Sequence, residues 1–555
     1  MLTIGLHGID DPTCSGASHD HGVAVMMDGS VLFCAELERH TRQKHDGNLG
    51  LHAETLLGGL LHNGQPARIA LVNSFAGTDF RSVNGMVEIT GAAALEVPDM
   101  VADCPGHVRV HHRPERHNVQ FFTVCHEMAH LATCLPFFGP FAAGSLLVHI
   151  DGGASRSCAS AWHWDGRTLK CLDHGWHPGL KAAVNNFNAS QLSRWILGLD
   201  VSDHLSMPGK LMGLASLGRS DEAAMSWLAR HEWMRTASGD AAMARRLLQR
   251  CLPQLDLKEF SPRDRGCQVL AACMQRQLGT EVLEYIRAYK RATGAKHLYF
   301  SGGAALNIHS NARIEGELGF DTVSIPPAPS DTGLALGAAA FLEWRSGSVL
   351  RKHTAFLNHI GPGHSTQGNE PGLPVVTTSG QAARAIADGK LVGVWVGDAE
   401  LGPRALGHRS ILARPDWVEL RKRLSESVKQ REWYRPVAPV LLEEVAIDAL
   451  RGYKPGSVLG RYMLGAWTLE PGWVEAFQGC VHADGTVRAQ VVDGKADQLG
   501  HIRKLLSELR SRYDIQGVIN TSFNRRGEPI VLALQEATRS ATAMGLDAIW
   551  LPKLG

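Results

Sequence analysis

At 555 residues the chain is long enough for two or three domains, and its 44% apolar and 20% charged content is that of an ordinary globular protein. A formal net charge of +1 argues against nucleic acid or an acidic membrane surface as a partner recognised by overall charge. Eleven cysteines with no CxxC pair, and a start (Met1-Leu2-Thr3-Ile4-Gly5) without a basic or long apolar region, argue against a disulfide scaffold and a signal peptide, so a reduced, cytoplasmic protein is expected.

Along the chain, His21 to Glu36 reads as strand, Asp28-Gly29 turn, strand. Cys158 to Asp173 repeats the pattern around Asp165-Gly166. A short Gly-containing stretch leads into each hairpin: Gly16-Ala17-Ser18-His19-Asp20 before the first, Asp151-Gly152-Gly153 before the second. The echo suggests a duplicated fold, with loops that bring backbone N–H groups close to phosphates. Between the hairpins lies His126-Glu127-Met128-Ala129-His130. On a helix, positions i and i+4 share a face, so both imidazoles can reach one metal ion. The pentapeptide is also the HExxH zinc-peptidase signature, with Glu127 as base. No Glu occurs from Leu131 to Asp221 to serve as a third ligand, and Thr133 and Pro136 stand where the longer HExxHxxGxxH pattern needs Gly and His. The run from Leu131 to Ile150 has no Asp, Glu, Lys or Arg. Pro136, Gly139, Pro140 and Gly144 interrupt it, so it reads as helix end, turn and strand rather than a membrane span. The basic, His-rich stretch His107 to His117 reads as a loop before the metal helix, with a second metal site as the alternative.

Asp151 ends an apolar strand, Ser145 to Ile150, beside two glycines, which suits a metal–nucleotide site. Tyr299 to Asn307 reads as strand, Gly302-Gly303 turn and helix start, an anion-binding geometry without a Walker A loop. Asp331 opens a helix of small apolar residues, either as its N-cap or as an acidic metal ligand. Lys352 to Leu373 reads as a linker, Gln381 to Asp388 as a helix and Leu391 to Val396 as a buried strand. Beyond it, Arg404, Arg409, Lys429, Arg431 and Arg435 stand among glycine, proline and apolar residues, and Asn520-Thr521-Ser522 ends a strand. Five cations near small polar groups in a nearly neutral protein suit phosphorylated ligands.

These pieces resemble, nearly end to end and in order, the O-carbamoyltransferases of the NodU/CmcH/TobZ family. The resemblance rests on His19-Asp20, Glu36-Leu37-Glu38-Arg39, the spaced histidines, Asp151-Gly152-Gly153, Gly209 to Leu214, Ser301 to Asn307 and Asp331-Thr332-Gly333. It continues through Gly402 to Leu412, His482 with Asp484 to Gln490, and Asn520 to Asn524 with Gly527 to Ile530. His21, Leu37 and Arg525-Arg526 depart from the usual pattern, in loop details that bear on which acceptor fits.

The resemblance implies an α/β architecture. A duplicated actin/Hsp70-like (ASKHA) domain would span residues 1–350, a linker 351–374 and a YrdC-like domain 375–555. In the second domain carbamoyl phosphate and ATP, with Mg(2+), would form carbamoyl adenylate and pyrophosphate. Arg404, Lys429, Arg435 and Arg488 would hold the two polyanions, with Asn520 and Ser522 orienting them. In the first domain Fe(2+), held by His126, His130 and Asp331, would polarise the carbonyl or the acceptor oxygen while a hydroxyl of a small-molecule natural product attacks and AMP leaves. Asp151, Gly152, Gly153, Gly302, Gly303 and Asn307 would bind the nucleotide there, and His19 is a base candidate by motif only. A closed passage would carry the adenylate between domains. The acceptor, the base and the oligomeric state, a homodimer among the alternatives, stay open; Ser220 to Pro262 is the expected variable insertion. The rival readings are an actin-fold small-molecule kinase and the zinc peptidase.

Overall fold

The computed structural model describes residues 1–8, 18–61, 66–73, 79–83, 85–89, 101–103, 106–108, 119–154, 156–199, 205–230, 240–360, 373–494 and 497–553. The first sheet contains β1 (Leu2–His7), β2 (Gly22–Met27), β3 (Ser30–Glu36), β4 (Ala67–Asn73), β5 (Val101–Asp103) and β6 (Val119–Cys125). Its order is β3-β2-β1-β4-β6-β5. The second contains β7 (Ser145–Ile150), β8 (Ala159–Trp164), β9 (Leu169–Gly175), β10 (His297–Ser301) and β11 (Thr322–Ser324), in the order β9-β8-β7-β10-β11. In each sheet a hairpin pairs antiparallel with the first strand's edge, and two further strands continue in parallel on the other side. Both hairpins also carry one register shift, at Val25/Met26 and at Ala161/Trp162. The echo seen in the sequence is therefore a duplicated topology, the actin/Hsp70-like arrangement expected.

Strands β1, β4 and β7 are buried along their whole length, which is why they read as largely apolar rather than as alternating runs. The helices that shape the sites are α1 (Leu37–Thr41), α2 (His126–Ala132), α3 (Met207–Ala215), α4 (Arg265–Thr293), α5 (Ile308–Glu317) and α6 (Leu334–Arg345). α6 is buried from Leu334 to Glu343 and lies directly on the first sheet. A Cβ on Gly5 of β1 would stand 1.9 Å from Ala335 O. The run Leu131 to Ile150 forms the end of α2, a short helix, a turn and β7, and among the described residues no helix is long and apolar enough to cross a membrane.

The third sheet is mixed: β12 (Val375–Val376), β13 (Val392–Trp395), β14 (Arg409–Ala413), β15 (Ala438–Leu442), β16 (Gln490–Val492), β17 (Gly517–Ser522) and β18 (Ala548–Trp550). The order is β12-β18-β13-β14-β17-β15-β16. The stretch read as a linker divides. Residues 353–360 lie along β3, where the ring nitrogens of His353 and His359 and the Oδ1 of Asn358 accept backbone N–H groups of Val31, Cys34 and Glu36. Asn358 also pairs with Ala399 of the C-terminal half. Residues 361–372 lie outside the described residues, as do Gly16-Ala17 and 109–117 of the His-rich stretch. The described part of Ser220 to Pro262 forms helices Glu222–Arg230 and Ala241–Cys251 on either side of residues outside the described set.

Candidate active sites: a histidine–carboxylate pocket and an arginine cluster

α2 begins immediately after β6, so His126 and His130 point into the space between the first two sheets. Asp331 stands in the short 3-10 turn Asp331–Gly333 that precedes α6. Two glycines let this turn approach α2. A Cβ on Gly337 would stand 1.8 Å from Ala129 O, and one on Gly333 would stand 2.7 Å from Thr133 Cγ2. The Thr133 hydroxyl, 3.0 Å from both Ala129 O and Gly333 O, bridges the contact. The result places His126 Nε2 2.9 Å from His130 Nε2, with Asp331 Oδ1 at 3.7 Å and 3.3 Å from them. Asp331 is thus not a helix cap; its carboxylate faces the imidazoles. Asp151 Oδ2, at the end of β7, lies 3.6 Å from His130 Nε2.

Electrostatics sharpen the pocket. Burial, with the His130 charge, pulls His126 down to about 4, so it is a neutral nitrogen donor. Burial opposes the Asp331 carboxylate, but the His130 hydrogen bond and the nearby His126 and His19 hold it well below the ordinary range. Two imidazole nitrogens and a carboxylate oxygen converging in this pocket fit a divalent transition metal, which would displace the proton that Asp331 and Asp151 favour on His130. Sequence reasoning passed over His7, whose Nε2 lies 4.0 Å from Asp331 Oδ2, and His149, whose ring stacks on His130. Each is one polar residue in an apolar strand, a weak signal beside HExxH.

His19 sits at the mouth of the pocket. Burial works against its charge, yet the hydrogen bond with Asp20 (2.9 Å) and the field of Asp331 raise it to about 9. An imidazolium at neutral pH donates a proton rather than taking one. Glu127 turns away from the histidines. Its carboxylate accepts from Arg156 N (3.1 Å), Ser157 Oγ (2.9 Å) and Cys125 Sγ (3.0 Å), and pairs with His174 (3.2 Å). A carboxylate engaged on both oxygens is not a peptidase base.

The glycine loops meet beside this pocket. Gly302 takes φ 96°, and a Cβ there would stand 2.2 Å from Ile150 O. Gly303 N and Gly152 N both donate to the Asp151 carboxylate, which ties the two loops together, and Gly153 follows in the same turn. Asn307 differs from expectation. Its Oδ1 caps α5 through Ser310 N (3.0 Å), and its amide exchanges hydrogen bonds with Gln275. Adjacent to that pair, α4, α5 and Asp484 of the C-terminal half enclose a cavity of about 470 Å³ lined by Gln275, Arg276, His309 and Arg313.

The C-terminal half holds the second site. Arg404, Arg431, Arg435 and Arg488, each half-buried, converge with the buried Lys429. Burial and one another's charge lower Arg404 to about 10 and Arg431 to about 9, and push Arg488 and Lys429 well down. The Nε atoms of Arg404 and Arg488 are buried with no hydrogen-bond partner among the described residues. Half-buried guanidiniums that repel one another, with a buried Nε left unpartnered, are costly unless an anion joins them. Lys429 is held differently from the arginines: its ammonium donates to Ser522 O (2.6 Å), Asn524 Oδ1 (2.7 Å) and Asn524 O. Asn520 donates to Ala405 O and Gln490 Oε1 (2.9 Å each), leaving its Oδ1 without a partner among the described residues. Arg409, counted among the five cations, is structural. Its fork donates to the carbonyls of Val396, Gly397 and Leu532 and lies over Trp395. Arg431 belongs in the anion site instead.

The two sites touch through their loops. Gly402, two residues before Arg404, donates to the Glu36 carboxylate and accepts from Arg39 (2.8 Å). Its φ is 93°, and a Cβ there would stand 2.5 Å from Pro327 O, four residues before Asp331. On another side Lys210 of α3 pairs with Glu432 (3.1 Å), and a Cβ on Gly209 would stand 3.7 Å from Arg435 Nη2. The Gly209 to Leu214 motif is therefore the surface on which the arginine loop rests.

Two family models match the chain in order: one described as "Carbamoyltransferase N-terminus" over residues 114–340 and one as "Carbamoyltransferase C-terminus" over 383–554. "Nodulation protein U" of Rhizobium tropici is 27% identical over 96% of this chain and 93% of its own. "Nodulation protein NolNO" of Sinorhizobium fredii is 28% identical over 99% and 81%. Among solved structures, full-length HypF in its phosphate- and nucleotide-bound form gives a TM-score of 0.31 at 12% identity, covering 62% of this chain and 55% of that one. A ROK family glucokinase from Streptomyces griseus gives 0.28 at 12%, covering 61% and 99%.

Proposed function

We propose that this chain, which belongs to the carbamoyltransferase family and is a transferase, works as an ATP-dependent O-carbamoyltransferase in two steps at the two sites just described. The observation that carries the reading is the arginine cluster around Arg404 and Arg488, whose Nε atoms are buried without a hydrogen-bond partner among the described residues, docked through Gly402 on the loop that bears Asp331.

Arg404, Arg431, Arg435 and Arg488 hold carbamoyl phosphate and the ATP phosphates together against their mutual repulsion. Water takes the phosphoryl group of carbamoyl phosphate as inorganic phosphate. The carbamate oxygen so released attacks the α-phosphorus of ATP, and pyrophosphate leaves. Lys429 fixes the Ser522–Asn524 loop, and Asn520 keeps its Oδ1 turned to the site. The adenylate passes along the interface made by the Gly402 and Gly209 loops to the first half. There Gly302, Gly303 and Gly152 admit the phosphate, and the cavity beside Gln275 and Arg313 receives the nucleoside. His126, His130 and Asp331, with Asp151 as a fourth ligand, would hold Fe(2+), which when bound supplies Lewis acidity toward the carbonyl under attack. The imidazolium of His19 donates to the charge that develops as AMP departs. The acceptor is a hydroxyl of a small natural product.

Purified protein given carbamoyl phosphate and ATP without acceptor should form pyrophosphate and carbamoyl adenylate, read by mass spectrometry. Arg404→Ala should lower that rate at least 100-fold while leaving metal content unchanged. Pyrophosphate formation that survives the substitution would overturn the assignment of the arginine cluster.

A further inference from the structure

Arg404 reaches the anion site from a loop whose backbone is held at both ends. Its Nε has no hydrogen-bond partner among the described residues, so no bond at that atom fixes the side chain. The entry to the loop is gripped from the N-terminal side. Ala399 exchanges both backbone hydrogen bonds with Asn358 (3.0 Å each), and Leu401 N donates to Ala355 O (2.8 Å). Gly402 N donates to one oxygen of Glu36, and Gly402 O accepts from Arg39 Nη2 (2.8 Å). The other Glu36 oxygen accepts from Arg39 Nε (2.8 Å) and from Asn358 Nδ2 (3.0 Å). Glu36 ends β3 and Arg39 lies in α1, which follows at once, so one strand–helix junction of the first sheet presents both side chains.

The exit is gripped from within the C-terminal half. Glu400 Oε1 accepts from Leu406 N (2.7 Å), His408 N (2.8 Å) and Arg409 N (3.1 Å). Arg404 therefore stands between two anchors, at Gly402 and at Leu406, and the first belongs to the other half of the molecule. Glu36 and Arg39 are both buried, and taking such a pair out of water returns little net stability. Their geometry does something a packed apolar pair could not. A guanidinium that meets a carboxylate through one nitrogen and a peptide carbonyl through another fixes a direction as well as a distance.

We propose that Glu36 and Arg39 are positioning residues for Arg404, so that the anion site of the C-terminal half is complete only while the first half is docked against it. The inference rests on the assignment of the arginine cluster to phosphorylated ligands made above. It deepens that reading by giving the two steps an order: a reactive adenylate forms only when the surface that leads it to the acceptor is in place.

The test is calorimetric binding of inorganic pyrophosphate to the full chain. Arg39→Lys keeps the charge and loses the fork, and it should weaken binding about tenfold. Arg404→Ala should weaken binding further, and adding Arg39→Lys to it should then change Kd by less than about twofold, because Arg39 acts through Arg404. A merely structural role would make the two losses multiply. Glu36→Gln, read the same way, replaces Arg39→Lys should that variant fail to fold. Binding within twofold of the unaltered protein in the single variant, or losses that multiply in the double variant, overturns the assignment. Unaltered protein that binds no pyrophosphate overturns the anion site, and this proposal with it. Pyrophosphate binding needs no turnover, so a failure to form carbamoyl adenylate alongside the expected binding pattern would overturn the reaction and leave the positioning role standing.

Discussion

Glu127 shows how much a single residue's surroundings decide. It stands inside a peptidase signature, yet it anchors residues 156 and 157 and pairs with His174. Burial opposes its charge, but His174, His149 and His126 hold its pKa well below the ordinary 4.5. A carboxylate whose pKa is depressed on folding adds stability that is complete above the unfolded value and is lost as pH falls below it toward the folded value. Glu127→Gln should therefore cost about 1–3 kcal/mol at pH 7 and flatten the loss of stability below about pH 4.5. Urea unfolding at a series of pH values measures both, and metal content should stay within twofold of the unaltered protein. The residue scale is also where the sequence was hardest to read. Arg409 and Arg404 share one glycine-rich motif, and only the carbonyls of Val396, Gly397 and Leu532 around the first separate it from the second. The His126–His130 pair was legible because its spacing stands out locally; Asp331 was joined to it only through the family resemblance, and His149 and His7 acquire meaning only when strands distant in sequence converge.

Among the elements, the crossing of α2 and α6 governs the metal pocket. Their backbones meet at Gly337 and Ala129, and any side chain at 337 must push them apart. Gly337→Val should destabilise the fold by about 2–3 kcal/mol and lower metal occupancy severalfold, because Asp331 rides on the displaced α6 turn. Denaturant midpoints and metal analysis on the same sample read the two effects. The hairpins were legible in the sequence because an Asp-Gly turn between apolar runs is a local signal. The packed role of 353–360 was not: its composition is that of a linker, and its backbone is satisfied by β3 and Ala399, far away in the chain.

At the scale of the whole molecule, the two halves are joined by buried polar contacts rather than by a greasy face alone. Arg42 reaches from the end of α1 to the carbonyls of Pro529 (2.9 Å) and Ile530 (2.8 Å). It is a quarter exposed, so removing it loosens the joint without opening a core. In Arg42→Ala we expect pyrophosphate formation to continue at near the normal rate while carbamoylated product falls at least threefold, as adenylate escapes to water. The ratio of pyrophosphate to product in one reaction measures the leak; a ratio unchanged from the unaltered protein would place the passage elsewhere.

The arginine cluster has a consequence for the protein's own persistence. Four half-buried guanidiniums and the Lys429 ammonium repel one another, with Glu432 offsetting part of this at Arg435, and that repulsion is relieved when a polyanion sits among them. Every phosphorylated ligand of the site is then also a folding ligand, raising the free energy of unfolding by RT ln(1 + [L]/Kd), about 2.7 kcal/mol at a hundredfold excess over Kd. Occupancy and lifetime are then coupled through the same charges: a chain with no anion in the cluster is the one nearest to unfolding.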